Sequence, residues 1–364
     1  MSTLIVKIRQ VTKVMAHPDP ETTGLEVAVV DGWESIIRKG QYKAGENILY
    51  VPPDAIVPTI MSDTVGATKY LAELPKSHEL RETHRRVKAA RLRGYPSFGI
   101  ILPVNCIPDA LRTSEDNLVE NLNISKWEPP IKCESGDAER ENCLIPKYTD
   151  IEHYRNFPEI CATLGDIIIT EKIHGGNCCV GLIKDEVGEM VYAARSHNIR
   201  RKQFNEYGVE SMYWEPFRLI PGISQFIVDE IRAAKECNAD INSICIYGEL
   251  YGGGIQKGMN YGSNNHQFKM FDISINGTYI SYDFLKRISN KYNIPMVPIL
   301  YNGPYSEEVI KEYTDGLTTV CDSEKLNGFK GREGIVFRSV KETVHPRHGR
   351  MVFKSVSVDY LERN

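Results

Sequence analysis

The sequence predicts an α+β protein in two parts, a small N-terminal β-barrel and a larger C-terminal domain in which strands mix with helices. Three observations predict it. Before about residue 105, short β-rich runs alternate with turns at near-regular spacing, the pattern of a small barrel. From Ile107 to Pro146 the text turns polar and breaks at Glu128-Pro129-Pro130, as a connecting segment does. Beyond about residue 165, apolar strand-like runs each carry a polar residue to a glycine-flanked end, and a helical period follows at Ile223 to Glu236. The expected division is 1–106 for the barrel, 107–146 for the linker and 147–364 for the second domain.

The barrel opens with the β-branched run Leu4 to Val11. Further strands are expected at Leu25–Val30, Glu34–Ile37, Asn47–Val51 and Phe98–Leu102, with turns at Asp31-Gly32, Gly40, Ala44-Gly45 and Pro52-Pro53-Asp54. Arg81, Arg85, Arg86, Lys88, Arg91 and Arg93 form the densest basic cluster in the chain, with Tyr95 and Phe98 close behind. Cations that follow a phosphate backbone beside a ring that meets a base or sugar suit nucleic acid. Arg85, Arg86, Lys88, Arg91 and Arg93 are therefore the candidate nucleic-acid residues. In the second domain, Ile227, Val228, Ile231 and Ala234 are expected on one face of an amphipathic helix packed on a sheet. Tyr213-Trp214 reads as core.

The chemistry concentrates around Lys172. It follows the apolar run Leu164 to Thr170, which reads as a buried strand able to hold it rigidly, and precedes His174, Gly175, Gly176 and Asn177. A lysine is protonated at neutral pH, with an ordinary pKa of about 10.4, so it attacks an electrophile only where nearby cations, a metal or desolvation free its lone pair. The glycines let backbone approach a bulky ligand closely. Taken singly, such a lysine is a common surface pattern.

Five further pieces follow in order. Arg195-Ser196 ends a strand-like run and places a guanidinium able to grip phosphate with paired donors. Glu249 ends the apolar strand Ile244 to Leu250, where a carboxylate is costly unless it binds sugar hydroxyls or a metal. Phe271, in Phe268-Lys269-Met270-Phe271-Asp272-Ile273, offers a ring for stacking on a purine. Glu333 begins Glu333-Gly334-Ile335-Val336-Phe337-Arg338, and Lys354 lies in Phe353-Lys354-Ser355. Together they make a nucleotide pocket.

This ordered series, K-x-H-G-x-N, R-S, G-E-L-Y-G, F-x-x-F-D-I, E-G-I-V-F-R and F-K-S, resembles the successive motifs of the covalent nucleotidyltransferases. Within them it resembles the ATP-dependent RNA ligases of the nick-sealing type, over about Tyr148 to Leu361. The wording of the first barrel strands is similar to the oligonucleotide-binding (OB) barrel that precedes the catalytic domain in the Deinococcus and Naegleria type of RNA ligase. It also looks loosely like free-standing tRNA-binding barrels.

The resemblance implies an OB-like barrel followed by an ATP-grasp-like nucleotidyltransferase domain with antiparallel sheets and flanking helices. It implies that Lys172 is the catalytic nucleophile that forms a lysyl-adenylate. Arg195 would contact phosphate or ribose, Glu249 the ribose hydroxyls, Phe271 the adenine and Lys354 the α-phosphate. Glu333 would orient a metal and its waters, with Glu249 a second metal residue acting through water. Glu171, His174, Gly175 and Asn177 complete the expected cofactor-binding set. DNA ligases usually carry aspartate where His174 stands, and one departure from the family pattern stands out: Val352 occupies the first position of a usual Lys-x-Lys pair. Either Lys354 then acts with another basic residue, such as Arg350 or Lys330, or the pyrophosphate side of the reaction is weakened.

The implied reaction is ATP-dependent sealing of a 3′-hydroxyl to a 5′-phosphate in RNA, through lysyl-AMP and an adenylylated 5′-phosphate, with Mg²⁺ or Mn²⁺. The partner is nicked or broken RNA-containing nucleic acid. A capping-type guanylyltransferase and a non-enzymatic OB-fold RNA-binding protein are the competing readings. A DNA ligase is disfavoured because the barrel candidate precedes the lysine instead of following Lys354.

Composition agrees. The 364 residues, 41% hydrophobic and 25% charged, fit two globular domains of a monomer. A formal charge of −4 means that nucleic acid must be bound by local patches and not by the field of the whole molecule. Nine scattered cysteines without a C-x-x-C pair read as reduced, and His345-Pro346-Arg347-His348 lacks partners at zinc spacing. No apolar run approaches the ~18 residues of a membrane span, and no secretory leader is visible. The cytoplasm is the expected compartment, with the cationic Lys7, Arg9 and Lys13 leaving an organelle open.

Overall fold

The computed structural model describes residues 4–76, 78–127, 142–148, 151–186, 188–195, 198–204, 208–256, 258–346 and 348–362. The chain divides into two compact units, the first built from residues 1–131 with 155–158 and the second from 132–154 with 159–364.

The first unit is built of small sheets with a short helix, Thr59–Asp63. Asn47–Val51 is central to one, flanked by antiparallel Lys7–Gln10 and Ile100–Pro103. Successive side chains on a strand alternate in direction. Accordingly Leu49 and Val51 join one core with Val6, Val57 and Leu102, while Ile48 and Tyr50 join another with Val11, Ala28 and Ile37. A strand buried on both faces explains the continuous apolar run Ile48 to Val51. Lys13–Ala16, Leu25–Val30 and Trp33–Arg38 form a meander. Its Leu25–Val30 and Trp33–Arg38 hairpin closes Val30 onto Trp33 through Asp31 and Gly32 at φ 49° and 77°, the two left-handed residues that a tight hairpin turn requires. Ala55–Pro58 lies between Ser125–Lys126 and His84–Arg86, and Ala90–Leu92 pairs with Tyr95–Ser97.

The stretch expected as a linker is divided by the structure. Ile107, Leu118, Leu122 and Ile124 are buried in the first unit's core, and Asn117 Oδ1 accepts the Val6 amide at 2.9 Å. Apolar side chains scattered through polar text carry no readable period, which hid this packing. The Glu128-Pro129-Pro130 break and the charged run 134–141 lie outside the described residues.

The second unit holds two larger sheets. One has six antiparallel strands in the order Asn198–Arg200, Gly188–Arg195, Gly176–Asp185, Ser243–Tyr251, Gln267–Ile275 and Thr278–Tyr279. The other has the order Glu152–His153, Val352–Val356, Gly334–Ser339, Asp166–Glu171 and Ile299–Pro304, antiparallel except for its first pair. Helices Gly222–Glu236 and Tyr282–Tyr292 cover the six-stranded sheet, burying Ile223, Phe226, Ile227, Leu285 and Ile288 against Val180, Leu182, Ile244, Ile246 and Ile273. Val228, expected on the buried face, is 49% exposed. A 100° step separates it from Ile227, so the stripe runs through 223, 226 and 227 to Ile231 instead. Tyr213 and Trp214 are core, as read. The described cysteines are free thiols.

One buried acid ties the two sheets together. Asp272, on the six-stranded sheet and fully buried, accepts hydrogen bonds from Arg338 Nη1 on the five-stranded sheet (2.9 Å), from Arg350 Nη2 (2.9 Å) and from Tyr148 Oη (2.8 Å). Glu342 holds Arg350 from the other side at 2.6 Å. Removing one member of such a cluster leaves buried charge uncompensated, at a cost of about 3–5 kcal/mol. Asp272→Ala should lower unfolding free energy by about that amount in a urea titration, and a change within about 0.5 kcal/mol would refute the clamp.

Candidate active site

Interior strands of each sheet in the second unit deliver, at their ends, part of one cluster. Asp166–Glu171 ends as the chain turns, and the Lys172 amide donates to Gly334 O at 2.9 Å, fixing the lysine backbone against the neighbouring strand. Lys172 Nζ lies 2.7 Å from Glu333 Oε1. Glu333 is held at the start of Gly334–Ser339, where Ser357 N donates to its carbonyl at 2.9 Å. From the other sheet comes Glu249, near the end of Ser243–Tyr251 and close enough to both Lys172 and Glu333 to act on their charges.

Burial of Glu249, reinforced by the Glu333 carboxylate and opposed by Lys172, raises its pKa from 4.5 to about 8. For Lys172, burial is the largest influence and acts to discharge the amine. The combined pull of Glu333, Glu249 and Tyr360 outweighs it, and the pKa ends above its ordinary value. The unliganded cluster is thus a protonated amine between two carboxyls, one of which readily keeps its own proton.

Asn177 sits directly opposite Glu249 on the adjacent strand, and its Oδ1 is buried without a partner. A buried amide oxygen left unpaired beside a half-neutral carboxyl is a place prepared for a donor such as a hydroxyl or amine. On the far side of Glu249 its cross-strand partner is Lys269, whose pKa burial depresses. Lys269 is a site cation that the sequence reading passed over, although it stands two residues before Phe271. Phe271 lies at an irregularity in the register of its strand, with its ring 4.9 Å from that of Tyr148 in an edge-on contact.

His174 is held twice: its amide donates to Tyr261 Oη at 2.7 Å, and its Nδ1 lies 2.7 Å from Tyr360 Oη. Tyr261 comes from the loop after Ser243–Tyr251, at φ 54°, and Tyr360 from the last helix, Val358–Glu362. Neither carries a sequence signal, because both reach His174 from far along the chain. Gln256 Nε2 donates to Gly175 O at 3.0 Å.

Several expected residues have other engagements. Glu171 is buried, and its carboxylate is occupied by Thr318 Oγ1 and by the amide and hydroxyl of Thr319, both at 2.7 Å, so it anchors the 318–319 loop beneath the lysine. The close approach that Gly175 permits is to protein: a Cβ there would meet Leu250 O at 2.3 Å and Glu249 Cγ at 2.9 Å. Arg350 is occupied by Asp272 and Glu342 and is no partner for Lys354, while Lys330 is exposed. Val352 is buried opposite Arg338, so a lysine there would stand beside a guanidinium. Lys354, half-buried, pairs across the sheet with Val336. The backbone of Arg195 lies opposite Cys178, one residue along from Asn177, while its side chain and Ser196 are outside the described residues.

In the first unit the basic cluster splits. Arg86 pairs with Asp54 and lies 4.8 Å from the Trp127 ring centroid, and Arg85 Nη1 donates to the carbonyls of Arg81 and His84 at 2.8 Å. Phe98 is core, and Tyr95 donates to Glu34 at 2.7 Å. Lys88, Arg91 and Arg93 remain exposed.

A search of curated proteins finds no match. Among solved structures, the chain is similar to a variant of Naegleria gruberi RNA ligase solved with ATP and manganese, at TM-score 0.73 and 23% identity over 99% of each chain. A second variant of that ligase, with AMP and manganese, matches at TM-score 0.72 and 24% identity over 98% of each. A third, without ligand, matches at 0.71 and 24% over 100% of this chain and 98% of that one. At these identities the likeness shows the fold: an N-terminal OB-type domain and an RNA-ligase nucleotidyltransferase domain, α+β with antiparallel sheets. An OB-fold domain model matches residues 5–104, and the RNA ligase family model matches 165–356, more than half of the 364 residues. That second match spans Lys172, Glu249, Glu333 and Lys354, and with them this chain belongs to the RNA ligase family.

Proposed function

We propose that this protein is an ATP-dependent RNA ligase that joins a 3′-hydroxyl to a 5′-phosphate through lysyl-AMP and an adenylylated strand. The observation that carries this reading is Lys172 Nζ at 2.7 Å from Glu333 with Glu249 facing both. Lys172 is the nucleophile toward the α-phosphorus of ATP, expelling pyrophosphate. It must first give up a proton, and Glu333 is the group positioned to receive it. Lys354 and Lys269 offset charge growing on the phosphate oxygens. Glu249 and the unpaired Asn177 Oδ1 accept from the ribose hydroxyls, and Phe271 supports the base. The AMP then passes to a 5′-phosphate, and the 3′-hydroxyl of the neighbouring strand attacks that phosphate and releases AMP.

The Naegleria gruberi variants solved with ATP or AMP and manganese support this choice of nucleotide and of a divalent ion. Among the described residues no group of three or more His, Cys, Asp or Glu side chains gathers to hold a metal. The donor set therefore suits Mg²⁺ or Mn²⁺ bound chiefly by substrate phosphates and water, with Glu333 and Glu249 as outer carboxylates. Such an ion, when bound, would supply charge neutralisation at the phosphate. Among the described residues no helix is long and apolar enough to cross a membrane. We assign the barrel to 1–106 with 107–127 packed into the same unit, and the ligase domain to 147–364 apart from 155–158, with the cytoplasm as compartment and a monomer as the working unit.

Lys172→Ala should abolish transfer of label from α-labelled ATP to the protein; a persisting adduct would reject the assignment. Label arising from GTP and not from ATP would favour the capping reaction instead. A pH effect follows from Glu249. Its carboxyl holds a proton to about pH 8 in the fold against 4.5 ordinarily, so the folded chain binds the extra proton across that window. Stability fully present below the ordinary value is lost as pH rises through the folded one. Glu249→Gln should therefore melt higher than the unmodified chain at about pH 8.5, with the gap shrinking toward about pH 5. A gap independent of pH would contradict this.

A further inference from the structure

His174 stands two residues past Lys172, on the turn between Asp166–Glu171 and Gly176–Asp185, and is gripped at two points. Its backbone amide donates to Tyr261 Oη, and its ring nitrogen Nδ1 lies 2.7 Å from Tyr360 Oη, with the two rings edge-on at 5.5 Å. A pinned amide and one pinned ring nitrogen together set the direction of the other nitrogen, Nε2.

Tyr360 is itself tied to the lysine from the opposite side. It is 8% exposed, and its helix, Val358–Glu362, follows Ser357, whose hydroxyl accepts the Tyr360 amide at 3.3 Å and whose own amide donates to Glu333 O at 2.9 Å. Its ring lies edge-on to that of Phe329 at 6.2 Å. Since Glu333 Oε1 meets Lys172 Nζ at 2.7 Å, the contacts close a circuit from Lys172 through Glu333, Ser357 and Tyr360 to His174 and back along the chain. The phenol is close enough to Lys172 to act on the charge of its amine. Packing alone would be met as well by phenylalanine, so the hydroxyl is the part of Tyr360 that calls for a role.

A neutral imidazole has one nitrogen that donates and one that accepts. A phenol O–H is a stronger donor than an imidazole N–H, and an unprotonated ring nitrogen is a stronger acceptor than a phenol oxygen. The contact at Nδ1 is therefore most stable with the tyrosine donating, which places the histidine's own proton on Nε2. An uncharged N–H held in one direction can bond a phosphate oxygen in the transition state without reorganising first. It also adds no positive charge to compete with Lys172 for Glu333.

We infer that Tyr360 is a positioning residue for adenylyl transfer: it holds His174 as the neutral Nε2–H tautomer, making the imidazole a fixed, uncharged donor to the phosphate that Lys172 attacks. This rests on the reading that Lys172 takes AMP from ATP, and it gives the last helix a part in that step.

The tautomer is read by long-range proton–nitrogen correlation NMR on the full chain with isotope-labelled histidine, the His174 signals being identified by their loss in His174→Gln. The unmodified protein should show a protonated Nε2 and an unprotonated Nδ1. A proton on Nδ1, alone or together with one on Nε2, would overturn the inference. Tyr360→Phe keeps the ring and removes the hydroxyl. At saturating ATP it should slow transfer of label from α-labelled ATP by about tenfold, the order lost when an outer partner that orients an imidazole is removed, with the KM for ATP changed by less than about twofold. In a His174→Gln background the same change should cost nothing further, because the tyrosine acts through the histidine. Losses that add in the double variant, or an unchanged rate in Tyr360→Phe, count against the inference just as decisively. If melting curves show Tyr360→Phe to be unfolded, the tautomer of the unmodified chain decides. A chain that takes no AMP label fails the ligase reading, whereas the wrong tautomer in a chain that does take label fails this inference alone.

Discussion

The active cluster depends on an interaction outside it, the hold of Asp272 on Arg338 and Arg350. Lys172, Glu333 and Lys354 stand on one sheet, and Asn177, Glu249, Lys269 and Phe271 on the other. Neither sheet alone carries the proposed nucleotide site. The acid that joins them follows Phe271 directly in sequence, so the ring proposed to support the base is fixed by the residue that closes the cleft. Tyr148 contributes to both, donating to Asp272 at 2.8 Å and lying edge-on to Phe271 at 4.9 Å. Two guanidiniums against two carboxylates, Asp272 and Glu342, leave the cluster neutral. That balance is what permits such charge in a core.

The same clamp accounts for a departure from the family pattern. With Arg338 committed to Asp272, its cross-strand neighbour at 352 is most stable as an apolar residue, and valine stands there. Lys354 is left as the lysine of its strand, and Lys269 on the facing sheet, its pKa depressed by burial, is the further cation proposed to meet the phosphate. The positive charge that the pattern carries on one strand is here divided between two.

Strong local signals made much of this legible in the sequence. The strands ending at Glu171, Arg195 and Tyr251 were readable because an apolar run stopping at a polar residue and a glycine admits few other structures. Lys172, Glu249 and Glu333 were likewise visible as charges at the ends of buried strands, although their roles came from family resemblance and not from spacing. What the sequence does not carry are the partners that are remote in it. Thr318 and Thr319, which occupy the Glu171 carboxylate, lie 147 and 148 positions away. Arg350 appeared available to phosphate because Asp272 is 78 positions distant. Arg86 stands among basic neighbours in the sequence, and its partner Asp54 comes from the turn before Ala55–Pro58, 32 positions away. Charge runs in a sequence do not report which members are already neutralised.

His174 stands where DNA ligases usually carry aspartate, and its surroundings show what that difference does. An aspartate there would add a third carboxylate to a cleft where Glu249 is already forced toward its neutral form by burial and by Glu333. It would raise Glu249 further and hold the Lys172 proton more tightly, opposing the deprotonation that attack requires. A histidine anchored by the hydroxyls of Tyr261 and Tyr360 keeps a polar, hydrogen-bonding group at this position without that charge. The last helix, through Tyr360, holds the imidazole in place.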